Sequence, residues 1–416
     1  MDYYSIATIL VVLSALFGYI NVKFLKLPIT IGLMVITIVF TVVLVGIAQF
    51  DDTLLVQERE FIAMIDFETV LLDIMLSFLL FAGALHTNFN QLKVQRGPIL
   101  AFATLGVLVS TVLVGVAMFY VLKLMGLNVD FIYCLLFGAL ISPTDPIAVL
   151  GILKKAGAPK KLETKIVGES LFNDGVGVVV FLTIFAIAAK PDAAIKLSEI
   201  ATLFGQEVIG GIVLGLFLGW VTYRLMRSID NYEIEVILTL ATVMGGTMLA
   251  HKFHLSAPLA MVTAGLIVGN DTVRNSAMSE TTELYVDKFW ELIDVLLNTI
   301  LFVMIGMEML ILTLEGKYIY AGLLAIPIIL MCRYISLWLP IKFFSKRLDF
   351  VPKTNLIMTW GGLRGGISIA LALSLTTAMH RELFLVITYI VVVVSIVGQG
   401  LTVEPFIKRL TRGVKD

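Results

Sequence analysis

Three short stretches set polar and charged side chains into otherwise apolar surroundings. The densest is Gly168-Glu169-Ser170-Leu171-Phe172-Asn173-Asp174-Gly175, followed by the apolar run Val176–Leu182. On a helix Glu169 and Asn173 share a face, as do Ser170 and Asp174, because residues four apart stack along the axis. Glu169 and Asp174 are five apart, so their directions diverge by about 140°. One carboxylate can then face an aqueous cavity while the other turns to a structural partner. The second stretch is Ser142-Pro143-Thr144-Asp145-Pro146. Its two prolines remove backbone donors, free the carbonyls of residues 139 and 142, and interrupt the helix at Asp145. Free carbonyls, the Thr144 hydroxyl and the Asp145 carboxylate form a hard oxygen-donor set suited to a small cation. The third is Thr359-Trp360-Gly361-Gly362-Leu363-Arg364-Gly365-Gly366. Four glycines within six residues weaken the helix and permit close backbone approach. Arg364 among them does not readily lose its proton. It therefore needs a carboxylate or oriented helix ends, and Glu169 is the expected partner. Arg333, in a neighbouring apolar run, poses the same problem and can join that network.

These groups are costly in the solvent that the composition implies. Hydrophobic residues make up 59% of the 416, charged residues 15%, and the mean hydropathy is +0.99. Soluble domains are about 25% charged, so too few polar side chains remain here to cover a water-exposed surface. The chain reads as an all-α polytopic membrane protein. Apolar stretches fall at 4–22, 28–50, 67–85, 98–122, 131–153, 166–189, 204–226, 233–250, 256–270, 291–313, 318–340, 354–377 and 383–404. They give thirteen expected spans, or twelve if the short ninth or the Gly-rich twelfth does not cross. Barrel strands would be about half as long and alternating. The first stretch lacks a basic leader and reads as a spanning helix, not a cleaved signal. Of the 30 basic residues, 21 fall in connections after odd-numbered spans or in the tail and 7 after even-numbered ones, Arg333 and Arg364 lying inside spans. The positive-inside rule then puts the carboxyl terminus in the cytoplasm and the amino terminus outside.

Interrupted helices at the fifth and twelfth spans, one in each half, point to a secondary transporter of two inverted-topology repeats with its site near the midplane. Spans one to six and eight to thirteen would be the repeats, with the seventh between them. Other classes find no support. There is no nucleotide-binding loop and no nucleophile–base arrangement, so neither ATP coupling nor an enzyme is expected. Cys134 and Cys332 lie in apolar stretches and the four histidines lack ligand spacing, so no transition-metal site is expected. The basic tail, 405–416, suits an anionic leaflet better than nucleic acid. Asp73 and Glu308 are weaker candidates for direct roles, and the Gly210–Gly219 glycines read as a packing seam.

Taken together, the three motifs resemble those of the monovalent cation/proton antiporters, in particular the prokaryotic electroneutral sodium/proton antiporter branch. The resemblance spans the whole apolar part of the chain. It implies exchange of sodium or lithium for protons, one for one, by alternating access, with no cofactor. It also implies that Asp174 carries cation and proton in turn, that Asp145, Thr144, Ser170 and Asn173 form or position the site, and that Glu169 pairs with an arginine matching Arg364. Pro143, Pro146, Gly361, Gly362, Gly365 and Gly366 would mark the two helix breaks. The implied assembly is a homodimer in the lipids of a prokaryotic inner membrane. Residues 1–85 and 233–313 would supply the dimerisation helices, 98–189 and 318–404 the moving core, and 204–226 the linker. Some relatives carry a carboxylate in the segment matching Phe81–Ala84; Ala82 is the expected position here, which would leave the site one oxygen ligand fewer. The competing readings are a potassium/proton antiporter, and a cation channel or transport-dead ion sensor on the same scaffold.

Overall fold

Backbone groups in hydrocarbon must find partners within their own segment, and helix is the local solution that does so. The computed structural model describes residues 3–47, 66–87, 89–145, 149, 153, 156–189, 197–309, 312, 315–346, 348 and 350–411. Its principal helices are α1 (Tyr4–Leu25), α2 (Ile29–Ile47), α3 (Thr69–Leu85), α4 (Phe89–Leu124), α5 (Phe131–Ile141), α6 (Lys160–Ala188) and α7 (Phe204–Met226). There follow α8 (Tyr232–Lys252), α9 (Ala257–Val268), α10 (Glu280–Glu308), α11 (Gly316–Phe344), the two halves α12a (Thr354–Trp360) and α12b (Gly366–Leu373), and α13 (Arg381–Leu410). Among the described residues nine of these are long and apolar enough to cross a bilayer, while α3, α5 and α9 are shorter apolar helices.

Several helices overshoot the apolar stretches that announce them. The fourth was expected from residue 98 and begins at Phe89; the sixth was expected from 166 and begins at Lys160; the tenth was expected from 291 and begins at Glu280. The added turns are polar. Hydropathy registers where lipid begins, whereas helical hydrogen bonding continues into the interface until a cap stops it. At α10 that cap is Ser279, whose side chain accepts from the Thr282 N–H. The tail expected from residue 405 is likewise helical as far as Leu410. Within the polar connection 271–290 lies one short helix, Asp271–Ala277. Residues 51–65 of the other long connection, and Pro146, fall outside the described residues.

Packing divides the helices by their neighbours. On one side α9 lies against α3, α7 and α8, and α10 lies against α1, α2, α3 and α8. On the other, α5 packs between α4 and α6, and α11 packs against α4, α12a and α13. All of these elements except α7 and α8 feed a large buried cluster that includes Phe102, Phe137, Phe181, Phe302 and Phe384. A smaller separate cluster joins α3, α8, α9 and α10 around Phe81, Met261, Val243 and Trp290. The glycine seam of α7 does serve packing: Gly211 and Gly215 lie on the Ser256 and Ala260 carbonyls. Outward-facing side chains such as Val42, Phe217, Met248 and Leu339 remain exposed, as a lipid solvent requires.

Trp290 is fully buried in the smaller cluster, and its indole Nε1–H donates to Thr239 Oγ1 at 2.9 Å. Thr239→Val preserves shape but strands that donor, a loss of about 1–3 kcal/mol. The variant is expected to melt at a lower temperature than the parent in detergent; an unchanged melting temperature would show the bond to be dispensable.

Candidate functional site

The site is built from helix ends. α5 stops at Ile141, residues 142–145 leave the helix, and α12a stops at Trp360 before α12b resumes at Gly366. The two breaks meet through the main chain: the Asp145 N–H donates to the Leu363 carbonyl at 2.8 Å. Interrupted helices strand carbonyls that would cost several kcal/mol each in hydrocarbon if left alone. Here they are taken up one by one. Arg364 donates from Nε to the Ile141 carbonyl at 2.6 Å and from Nη1 to the Gly362 carbonyl. Gln399 Nε2 donates to the Trp360 carbonyl at 3.0 Å, and Arg333 Nε to the Met358 carbonyl at 3.2 Å. Ser142 Oγ donates to the Gly138 carbonyl at 2.7 Å. The Arg364 main-chain N–H is held by Ser395 Oγ at 3.0 Å. A guanidinium at the carbonyl end of α5 also offsets the negative pole of that helix.

Polar side chains of α6 then meet the break in α5. Asn173 Nδ2 donates to Thr144 Oγ1 at 2.9 Å, and the Thr144 N–H donates to Asn173 Oδ1 at 3.3 Å. The Thr144 and Ser170 hydroxyls lie 3.1 Å apart. All three side chains are buried and satisfy one another. Beside them opens a cavity with about 50 Å³ of room for water-sized occupants, enough for an ion or a few waters. Asp145 and Asp174 both line it, with Pro143, Gly365, Gly366 and Ser368. Thr144, Ser170 and Asn173 are bonded to one another but do not line that cavity, so the five residues expected at the ion site lie together, two on the cavity wall and three off it. Gly365 is what lets Asp145 lie there: a Cβ at Gly365 would sit 2.6 Å from Asp145 Oδ2.

The expected pairing of Glu169 with Arg364 is not what the structure contains. Glu169 takes Arg333 in a two-pronged bridge, Nη1 to Oε1 at 3.0 Å and Nη2 to Oε2 at 3.1 Å. Both side chains are buried, and Arg333 does not reach for the membrane surface as a snorkelling arginine would. It lies along Gly362, where any Cβ would collide with its guanidinium. The physical reason is a division of labour: helix-end carbonyls take Nε and Nη1 of Arg364, and the carboxylate of Glu169 goes to the arginine of α11. The carbonyl freed at the proline break that gains an observed partner is that of Ile141, between the two expected ones.

The sequence reading missed two residues. Asn298 lines the cavity from α10, and Asp294 one turn earlier accepts from its Nδ2 at 3.0 Å. The signal was present, since an acid and an amide four apart inside the apolar run 291–313 share one face. Ala82, by contrast, is not on the cavity. It packs in the smaller apolar cluster, and Gly83 is the α3 residue that lines the wall with Leu76, Leu79 and Leu80. Asp73 and Glu308 also stand apart from it; Asp73 lies 3.7 Å from His251 Nε2 on a half-exposed surface. Among the described residues no group of His, Cys, Asp and Glu is arranged to hold a metal ion.

Breaking a buried bridge by removing one partner leaves an uncompensated charge, at a cost of about 3–5 kcal/mol. Arg333→Met should therefore lower the melting temperature in detergent more than the double variant Glu169→Gln/Arg333→Met does. Equal losses from single and double variants would argue against the pairing.

Comparisons with known proteins agree with this geometry. The family described as "Sodium/hydrogen exchanger, transmembrane" matches residues 11–409. The chain is 49% identical over 408 residues to the Na(+)/H(+) antiporter NhaP of Pseudomonas aeruginosa, covering 97% of this chain and 96% of that protein. It is 34% identical over 392 residues to the Na(+)/H(+) antiporter NhaH of Halobacillus dabanensis, covering 93% of each. The fold is similar to that of the sodium proton antiporter MjNhaP1 from Methanocaldococcus jannaschii at pH 8, with a TM-score of 0.76 at 19% identity over 99% of this chain and 100% of that one. With two helix ends crossing beside paired aspartates, and a family match over nearly its whole length, this chain belongs to the sodium/hydrogen exchanger family, in its NhaP-like branch.

Proposed function

We propose that this chain exchanges sodium or lithium for protons across a prokaryotic cell membrane, with Asp174 as the shared carrier. Family membership makes it a secondary antiporter working by alternating access, not an enzyme. The observation that carries the finer reading is that Asp174 and Asp145 line one cavity at the crossing of two interrupted helices. Asp174 is 4% exposed, and among the described residues no ion pair neutralises it. A carboxylate so placed is stable only when loaded with a proton or a cation. Asp145 adds a second oxygen donor, and Thr144, Ser170 and Asn173 hold the loop that presents it. The neighbour of Asp174 in the sequence is the neutral Asn173, so one acid of α6 alternates between one proton and one monovalent cation. That supports one-for-one, electroneutral exchange.

The larger architecture follows the same reading. Thirteen spans in two inverted repeats put the broken helices α5 and α12 in equivalent places. Residues 98–189 and 318–404 act as the moving core, and 1–85 with 233–313 as the scaffold through which two copies pair. The division of helix neighbours described above supports that split. The amino terminus lies outside and the basic carboxyl terminus at the cytoplasmic leaflet. The loaded core then carries its charge-neutral cargo past the scaffold, while the bare carboxylate is the form that cannot cross.

Asp174→Asn removes the titrating charge without changing size. The variant is expected to assemble normally and to lose ion-gradient-driven proton movement in proteoliposomes; normal exchange by it would remove Asp174 from the carrier role. Because proton and cation compete for one carboxylate, the sign of the pH effect is fixed. Acidification should raise the apparent KM for sodium, by about tenfold per pH unit once the carboxylate is mostly protonated, with the maximal rate unchanged. Measured with sodium, lithium and potassium at clamped membrane potential, the rates should be insensitive to voltage. Current carried without proton flux would indicate a channel instead.

A further inference from the structure

We infer that Asn298 supplies a neutral amide oxygen to the transported cation, and that Asp294 positions it. The inference rests on the reading of the Asp145–Asp174 cavity as the ion site and adds a ligand from a third helix. Asn298 lines that cavity and is 2% exposed. Its amide orientation is settled by its neighbours. Nδ2 lies 2.8 Å from the Asp294 main-chain carbonyl, which can only accept, so the NH2 group faces it, and 3.0 Å from Asp294 Oδ1. The Oδ1 atom is left as the group this residue can offer elsewhere. It is buried and has no hydrogen-bond partner among the described residues. An amide oxygen in that condition pays a desolvation cost that a cation in the cavity would repay.

The rest of the wall sharpens the assignment. α3 contributes Leu71, Leu76, Leu79, Leu80 and Gly83, and α10 adds Leu301, so these two helices present no other side-chain oxygen to the cavity than that of Asn298. Sodium and lithium favour hard oxygen donors, and a neutral one strengthens cation binding without adding a group that takes up a proton. The amide therefore separates the two substrates that share Asp174: it acts on the cation and not on the proton. It also lies on a helix packed against α1, α2, α3 and α8, whereas the two aspartates belong to α6 and the end of α5. Ligand and carrier thus sit on opposite sides of the proposed sliding surface, so the amide completes the site only while α10 faces the break in α5.

The test is sodium-dependent proton movement in proteoliposomes of the full chain, read as apparent KM and maximal rate. Asn298→Ala and Asn298→Leu, the second of similar volume to the parent, should each raise the KM for sodium roughly three- to tenfold with the maximal rate within twofold. Asp294→Leu, which removes the side-chain acceptor and leaves only the main-chain carbonyl to hold the amide, should raise the KM too, by less than Asn298→Ala, but should add nothing in the Asn298→Ala background, the non-additivity expected of a residue acting through another. An unchanged KM in both Asn298 variants, or their failure to assemble, would overturn the assignment in favour of a structural amide. A further KM change from Asp294→Leu in the Asn298→Ala background would overturn the positioning role. If the wild type exchanges and Asp174→Asn does not, these failures concern Asn298 alone; if Asp174→Asn exchanges normally, the carrier reading fails first.

Discussion

An unpaired carbonyl in hydrocarbon is the constraint from which this architecture follows. Breaking a helix at membrane depth exposes several at once, and this chain breaks two. The expense is contained because the breaks are brought together and their stranded groups are met by a small set of donors: Arg364, Gln399, Arg333 and the Asp145 main-chain N–H. Arg364 is the centre of that set. Its charge faces carbonyl dipoles from α5 and from the segment after α12a, and among the described residues no carboxylate forms an ion pair with it.

That arrangement decides what the acids are free to do. Were Arg364 to take Glu169, Arg333 would be left as an unmatched buried cation beside Gly362. With helix ends serving Arg364 and Glu169 serving Arg333, no ion pair among the described residues engages Asp174. In the proposed exchange, that carboxylate is the one left for proton and cation. Glu169 and Asp174 differ in this respect because five residues of helix turn them in different directions, one toward α11 and one toward the cavity.

Much of this was legible in the sequence, since the motifs are local. Proline spacing marked the end of α5, glycine clustering marked the end of α12a, and a five-residue separation turned Glu169 and Asp174 in different directions. What spacing cannot carry is the identity of a partner on another helix. Two buried arginines and one glutamate allow two pairings, and only the positions of the helix-end carbonyls choose between them. Asn298 and Asp294 went unnoticed because they sit in a run that hydropathy scores as a plain span, although their separation of four was itself a clue. Ala82 shows the opposite limit: adjacent positions on a helix point about 100° apart, and spacing alone does not say that Gly83 faces the cavity while Ala82 faces the apolar cluster around Trp290.

The joint between the broken helices is made by atoms every residue possesses, the N–H of position 145 and the C=O of position 363. Mutational drift in the surrounding side chains can alter cargo preference, pH response or lipid contacts without severing that link. A proline at position 145 removes its donor outright, and a side chain at Gly365 would press on Asp145 beside it. The crossing is thus joined by main-chain atoms, while the side chains around it set how closely the two breaks can approach.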